Sequence, residues 1–466
     1  MTDATNMVLK INRPQYVSIP EGFVSALAWQ CFGVDGSQNV ADSVGRIYRS
    51  IKKSTSKRVR IIETAPERER LSEFGLALAK HGVSVEDVDS EVLAQAVTNS
   101  VSGIQSEKGT IQASSPLTPT FALMQDMRGI QGTRNPPDLG GILDAMYQYG
   151  LPRDSGAQPS ASERWLRSAQ QRCEQDPLLA AMDGAIREVN FNDTLFTKEL
   201  TSILPLADFS GTPFRWFQES WSRLTSEEWV SALPARVWAD WAATVLRLSF
   251  AMGFLWEATW YVKLARSVVA GELQPWEESI KSVGEILPWR SMRSSTSVRD
   301  IAAHLSWVVH HGAVVREQFA NWDKSGKFED LSFEDALSMM HSDDECRAAL
   351  NQALSNTQKN TSNIQEAIRY TLKTRDRVGE AADYYGLLRS SGRFLTVDPG
   401  TEWITVVASL TCQRPGAEAN VGDLMKNLQL LGLYPELTDV VDLLERAGLA
   451  RGSADADQGV RIQSAF

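Results

Sequence analysis

The stretch LLERAGLARGSADADQGVRI, residues 443–462, decides how the carboxy-terminal part of this chain is read, because LLRSSGRFLTVDPGTEWITV, residues 387–406, repeats its outline. Both begin on a leucine pair, Leu443–Leu444 and Leu387–Leu388. Both place a glycine five positions after the first leucine, at Gly448 and Gly392. Each then passes through a turn-rich segment into a β-branched run. The equal spacing predicts one supersecondary unit used twice.

Upstream of the later copy, VGDLMKNLQLLGL (421–433) sets Val421, Leu424, Met425 and Leu428 on one helical face, with Asn420 placed to cap it and Asp423 in the first turn. PELTDVVDLLERAGL repeats the pattern with Leu437, Val440, Val441 and Leu444, and Gly448 supplies a left-handed stop. Leu449–Arg451 and Val460–Ile462 then read as hairpin arms around a polar loop. The earlier copy follows a segment expected to be helical over 363–392, with Ile364, Ile368, Leu372, Tyr385 and Leu388 on one face. Its hairpin is expected between RFLTV and EWITV, turning on DPGT with Pro399 and Gly400 at the central positions.

Helix, tight turn, helix, hairpin is an order that resembles the winged-helix superfamily. The resemblance covers about 60 residues and implies tandem winged-helix-like modules over 327–407 and 408–466. Such an arrangement is also similar to that of prokaryotic accessory proteins that couple a motor or nuclease to DNA, kleisin-type subunits among them.

Ahead of these modules, the 466 residues predict two to four domains in a mainly α chain with small β elements. An α+β amino-terminal domain is expected over 1–110, with a helix over 41–53, a strand in KRVRIIET (57–64) and a helix in 66–82. Segments rich in Pro, Ser and Gly mark a linker-rich connection over 111–163. A tryptophan-rich helical domain follows over 164–326. Eleven of the fourteen tryptophans lie between Trp216 and Trp322, and the helical spacing of Trp238–Trp241 and Trp256–Trp260 reads as core rather than as a stacking surface. The longest uncharged run in the most apolar segment, Leu248–Trp256 between Arg247 and Glu257, is too short to span a membrane.

A net charge of −11 argues against a molecule built as a whole to attract polyanions. Local patches differ. Residues 44–62 carry Arg46, Arg49, Lys52, Lys53, Lys57, Arg58 and Arg60 with no acid, a candidate site for nucleic acid or an acidic partner. Arg369 and Lys373 belong to a second, weaker basic stretch. The helix before the last hairpin carries Glu436, Asp439, Asp442 and Glu445 against Arg446 alone, which suits protein docking and opposes contact with phosphates.

No catalytic signature is present. His304, His311 and Glu317 lack the spacing of a metal motif, and the valines among them read as core. HSDDEC (341–346) is explained by a capping box of Ser342 with Glu345. The four dispersed cysteines fit reduced thiols in a cytoplasmic protein. The expectation is a non-enzymatic scaffold or adaptor subunit of a prokaryotic DNA-processing, chromosome-maintenance or antiviral defence complex. It needs no cofactor or metal and no membrane, and its partners are other protein subunits. Direct DNA binding through the 46–60 patch, and a cryptic enzyme in the helical domain, are the alternatives.

Overall fold

The computed structural model describes residues 8–13, 20–34, 51–52, 61–62, 68–84, 88–100, 102–105, 112–124, 138–192, 194–199, 202–206, 208–289, 301–328, 331–356, 362–374, 383–391, 394–451 and 459–466. The described chain is mostly helical, with a few small antiparallel sheets.

Helix α1 (Glu21–Cys31) is buried along most of its length, as its low polarity requires, and runs into strand β1 (Phe32–Val34). Strands β2 (Ile51–Lys52) and β3 (Ile61–Ile62) pair with Ile51 opposite Ile62. The helix expected over 41–53 is therefore corrected at its end: β-branched partners in register across a ladder outweigh a helical spacing. Helices α2 (Arg68–Lys80) and α3 (Ser90–Ser100) follow, then the ribbon of β4 (Ser102–Gln105) with β5 (Gln112–Ser114).

The short helix α4 (Pro119–Ala122) starts on Thr118, whose hydroxyl accepts from Phe121 N. Within the stretch expected as a connection, α5 (Leu139–Gly150) is capped by Asp138 and buries Leu143, Met146 and Tyr147 completely. Helices α6 (Ala161–Gln175) and α7 (Pro177–Phe191) are capped by Ser160 and Asp176. Asn192 takes the left-handed conformation that stops α7, and β6 (Leu195–Thr197) then pairs with β1, Val34 opposite Leu195.

After α8 (Pro213–Leu224) and α9 (Glu227–Ala232) comes the axis of the molecule, α10 (Ala235–Ala270). Its 36 residues span about 54 Å. No helix among the described residues is long and apolar enough to cross a membrane. Trp238, Trp241, Trp256 and Trp260 are all buried, Trp256 stacking on Trp260 at 5.7 Å, so the aromatic spacing marks core. Around this axis lie α11 (Trp276–Lys281), α12 (Ala302–Lys324), α13 (Phe333–Ser342), α14 (Asp344–Ser355) and α15 (Ser362–Leu372). Asp343, not Ser342, caps α14, accepting from Glu345 N and Cys346 N; Ser342 ends the preceding helix. The carboxylate is the charged and stronger acceptor.

The two leucine-pair stretches fold differently, which overturns the duplicated unit. Helix α15 stops at Leu372 rather than continuing towards Gly392. Leu387 N donates to Leu372 O at 2.8 Å, and Leu388 opens strand β7 (Leu388–Ser391). Strand β7 pairs with β8 (Phe394–Val397), Leu388 opposite Val397, so RFLTV is a strand but its partner precedes it. EWITV is not a strand: it opens α16 (Thr401–Thr411), and DPGT joins β8 to that helix, with Gly400 as its cap residue. The reason is periodicity. Trp403, Val406, Val407 and Leu410 recur at helical spacing and are all buried, and that burial overrides their β propensity. The module boundary expected at 407/408 falls inside α16.

From α16 the chain forms β9 (Glu418–Asn420), α17 (Val421–Leu430), α18 (Leu437–Arg446), β10 (Ala450–Arg451) and β11 (Arg461–Gln463). Both helices lie where the apolar spacing puts them, and Asn420 caps α17 by accepting from Asp423 N at 2.9 Å. The hairpin has a third strand: the order is β10-β11-β9, with Ile462 central, facing Ala450 on one side and Ala419 on the other. Nearly all the buried apolar residues of the described chain, from Leu9 to Ile462, join in one contiguous cluster.

Candidate docking face and buried charge centres

Residues 401–466 meet the helical body at several points. Arg223 donates to Leu410 O at 2.9 Å, the Trp229 indole donates to Gln413 O at 3.0 Å, and Ile286 N donates to Gly432 O at 2.8 Å. Phe466 adds an edge contact on Trp241 at 5.8 Å. Helix α18 packs on α16 through Val440, Leu443 and Leu444, all buried, and turns its other side outward.

That outward side is mixed. Glu436, Asp442, Glu445 and Arg446 are exposed, and so are two large apolar residues, Leu437 at 50% and Tyr434 at 46%. Arg446 pairs with Asp442 at 3.1 Å, so Glu436 and Glu445 dominate the charge of the surface. Asp439, expected among the acids of this face, is only 8% exposed, and its Oδ2 has no hydrogen-bond partner among the described residues. Its position in the first turn explains why the fold tolerates it there: the helix dipole stabilises an acid at an N-terminus.

The basic candidates divide. Arg46, Arg49, Lys53, Lys57, Arg58 and Arg60 lie outside the described residues, and Lys52 is placed by its backbone in β2. Arg369 is exposed on α15, whereas Lys373 is half-buried, its backbone bridging to Leu388.

The histidine segment is not assembled as a metal site. Of the four valines read as core, Val308, Val309 and Val315 are buried and Val314 is half-buried. His311 is buried with Nδ1 2.8 Å from Trp307 O, while His304 is exposed with Nε2 3.1 Å from Ile286 O. Glu317 is exposed. Among the described residues no group of three His, Cys, Asp or Glu side chains could hold a metal ion.

What the sequence reading missed is that both charges flanking the apolar run are buried and paired. Arg247 donates to Asp383 at 2.6 Å, each side chain being 2% exposed, and the other Asp383 oxygen accepts from Tyr385 N. Burial pushes the neighbouring Asp240 carboxyl up to about 6 and, with the Asp240 charge second, the Tyr385 hydroxyl up to about 12. Glu257 sits between Arg13 at 2.8 Å and Arg316 at 3.1 Å, and Arg316 also donates to the carbonyls of Leu9 and Ile11. Each centre ties a distant segment to α10: 383–388 to its first half, residues 9–13 to its second. Charges inside an apolar helix are the sequence signal for such ties, since buried charges require partners. The partners' identities are not readable, because Asp383 lies 136 positions and Arg13 244 positions away.

No protein-family model matches the chain, and no curated protein matches it.

Proposed function

We propose that the chain is a non-enzymatic docking subunit of a multi-protein assembly, of the DNA-processing, chromosome-maintenance or defence kind that the sequence resemblance implies. In this reading residues 401–466 are a winged-helix-like unit. The order helix, strand, helix, helix, strand, strand, with the sheet closing as β10-β11-β9, supports it. The observation that carries the docking role is the outward side of α18. Exposed Leu437 and Tyr434 beside Glu436, Asp442 and Glu445 suit a polypeptide with basic and apolar side chains. In a DNA reader that helix would lie against phosphates, and these carboxylates would repel them.

A photo-crosslinking residue placed at Leu437 in the source cells tests the reading. The expected product is a covalent adduct with another polypeptide, lost when Glu436, Asp442 and Glu445 are changed to Lys. Recovery of cross-linked DNA instead, or tighter duplex binding by the native chain than by the lysine variant, overturns it.

A further inference from the structure

A cleft of about 260 Å³ opens beside the second half of α10, lined by Lys263, Arg266, Ser267, Gln274, Ser279 and Ser282 together with Leu264, Ala270 and Glu272. Lys263 and Arg266 stand three positions apart and so share a helix face. Neither forms an ion pair among the described residues. The Lys263 ammonium donates to Ser282 O, which leaves two of its three protons uncommitted. The Arg266 guanidinium rests 5.0 Å from the Trp307 ring centre, and Trp307 in turn stacks on His311 at 4.4 Å, so the cation is held in place by aromatic rings rather than by an acid.

At the wall of the cleft, Ser279 is buried and its Oγ accepts from the Trp260 indole at 3.0 Å, so its own proton is free to donate. Helix-end electrostatics do not account for the two cations, because the last turn of α10 carries no basic residue. Burial, with the Arg266 charge second, holds Lys263 below the ordinary lysine value. An anion between the two would relieve that repulsion.

We infer that this cleft binds a small ligand through a phosphate group, held by Lys263 and Arg266 and by the Ser279 hydroxyl. The ligand is a small molecule rather than a nucleic-acid backbone, because the cations line a concavity that also holds Glu272, whose charge opposes an extended polyanion.

Calorimetric titration of the full chain with pyrophosphate at constant ionic strength tests this. Saturable one-site binding is expected, weakened about tenfold or more by Lys263→Gln or Arg266→Gln, since each removes a charge-assisted hydrogen bond. Lys281→Gln, a change at an exposed lysine outside the cleft, should leave binding unchanged. In the native chain, pyrophosphate should slow acetylation of Lys263 and not of Lys281, a readout independent of any variant's folding. Absence of saturable binding, equal weakening by Lys281→Gln, or equal acetylation of both lysines overturns the inference. So does short duplex DNA protecting Lys263 where pyrophosphate does not.

Discussion

Residues 387–406 and 443–462 share a leucine pair, a glycine at the same offset and a β-branched finish, yet one folds as strand, strand and helix, the other as helix, strand and strand. The difference lies in what each leucine pair packs against. Leu443 and Leu444 continue an amphipathic stripe that begins at Val440, and Gly448, at φ +71°, terminates the helix in the left-handed conformation that suits glycine. The helix that carries Ile364, Ile368 and Leu372 ends before Leu387 and Leu388 are reached. Backbone bonds from Leu387 N to Leu372 O and from Thr374 N to Leu388 O hold them extended, and the Asp383–Arg247 pair fixes the segment's entry. A shared local motif thus has two outcomes, chosen by long-range partners.

The most severe disruption of the earlier stretch is expected from Arg247→Met, which strands a buried carboxylate and costs about 3–5 kcal/mol. Amide exchange should rise over 387–397 more than over 443–451. Arg247→Met/Asp383→Leu should recover most of the loss, and failure to recover would show that the arginine acts through packing alone.

Leu388→Ala and Leu444→Ala come next, each costing about 3 kcal/mol in urea unfolding because both side chains are fully buried. Similar losses are expected although one residue is in a strand and the other in a helix. A difference of about 2 kcal/mol or more would mean that secondary structure, not burial, sets the cost.

Gly448→Ala should cost about 1 kcal/mol through the backbone alone, since an added Cβ meets nothing within 4 Å among the described residues. A larger loss would point to packing at that corner.

A separate effect concerns pH. Asp240 is protonated more readily in the folded chain, near 6, than at an ordinary carboxylate's value of about 3.9 when unfolded. Folded molecules therefore bind more protons between those values, and stability falls as pH rises from about 4 to about 6. Asp144, which burial also pushes up to about 6, contributes with the same sign. Asp240→Asn should flatten part of that slope, measured as the urea midpoint across the range; an unchanged slope removes Asp240 from the account.

Much of the later stretch was legible. Asn420, the spacing of Leu437, Val440 and Leu444, and Gly448 are local signals, and local physics sufficed to place two helices and their ends. The third strand, β9, was not legible, because EAN has no β signature and is a strand only through its pairing with β11. Of the acids read on the last helix, Glu436, Asp442 and Glu445 are exposed, while Asp439 is buried where α18 packs on α16.

By itself the sequence determined that the chain is mainly helical, that most of its tryptophans fill a core, and where the two helices between Val421 and Arg446 start and stop. These depend on contacts a few residues apart, which composition and periodicity record. Tertiary structure alone decided which leucine pair became a strand and which distant charges neutralise Arg247 and Glu257. Those outcomes rest on neighbours up to 244 positions away, and no local pattern encodes the partner of a buried charge.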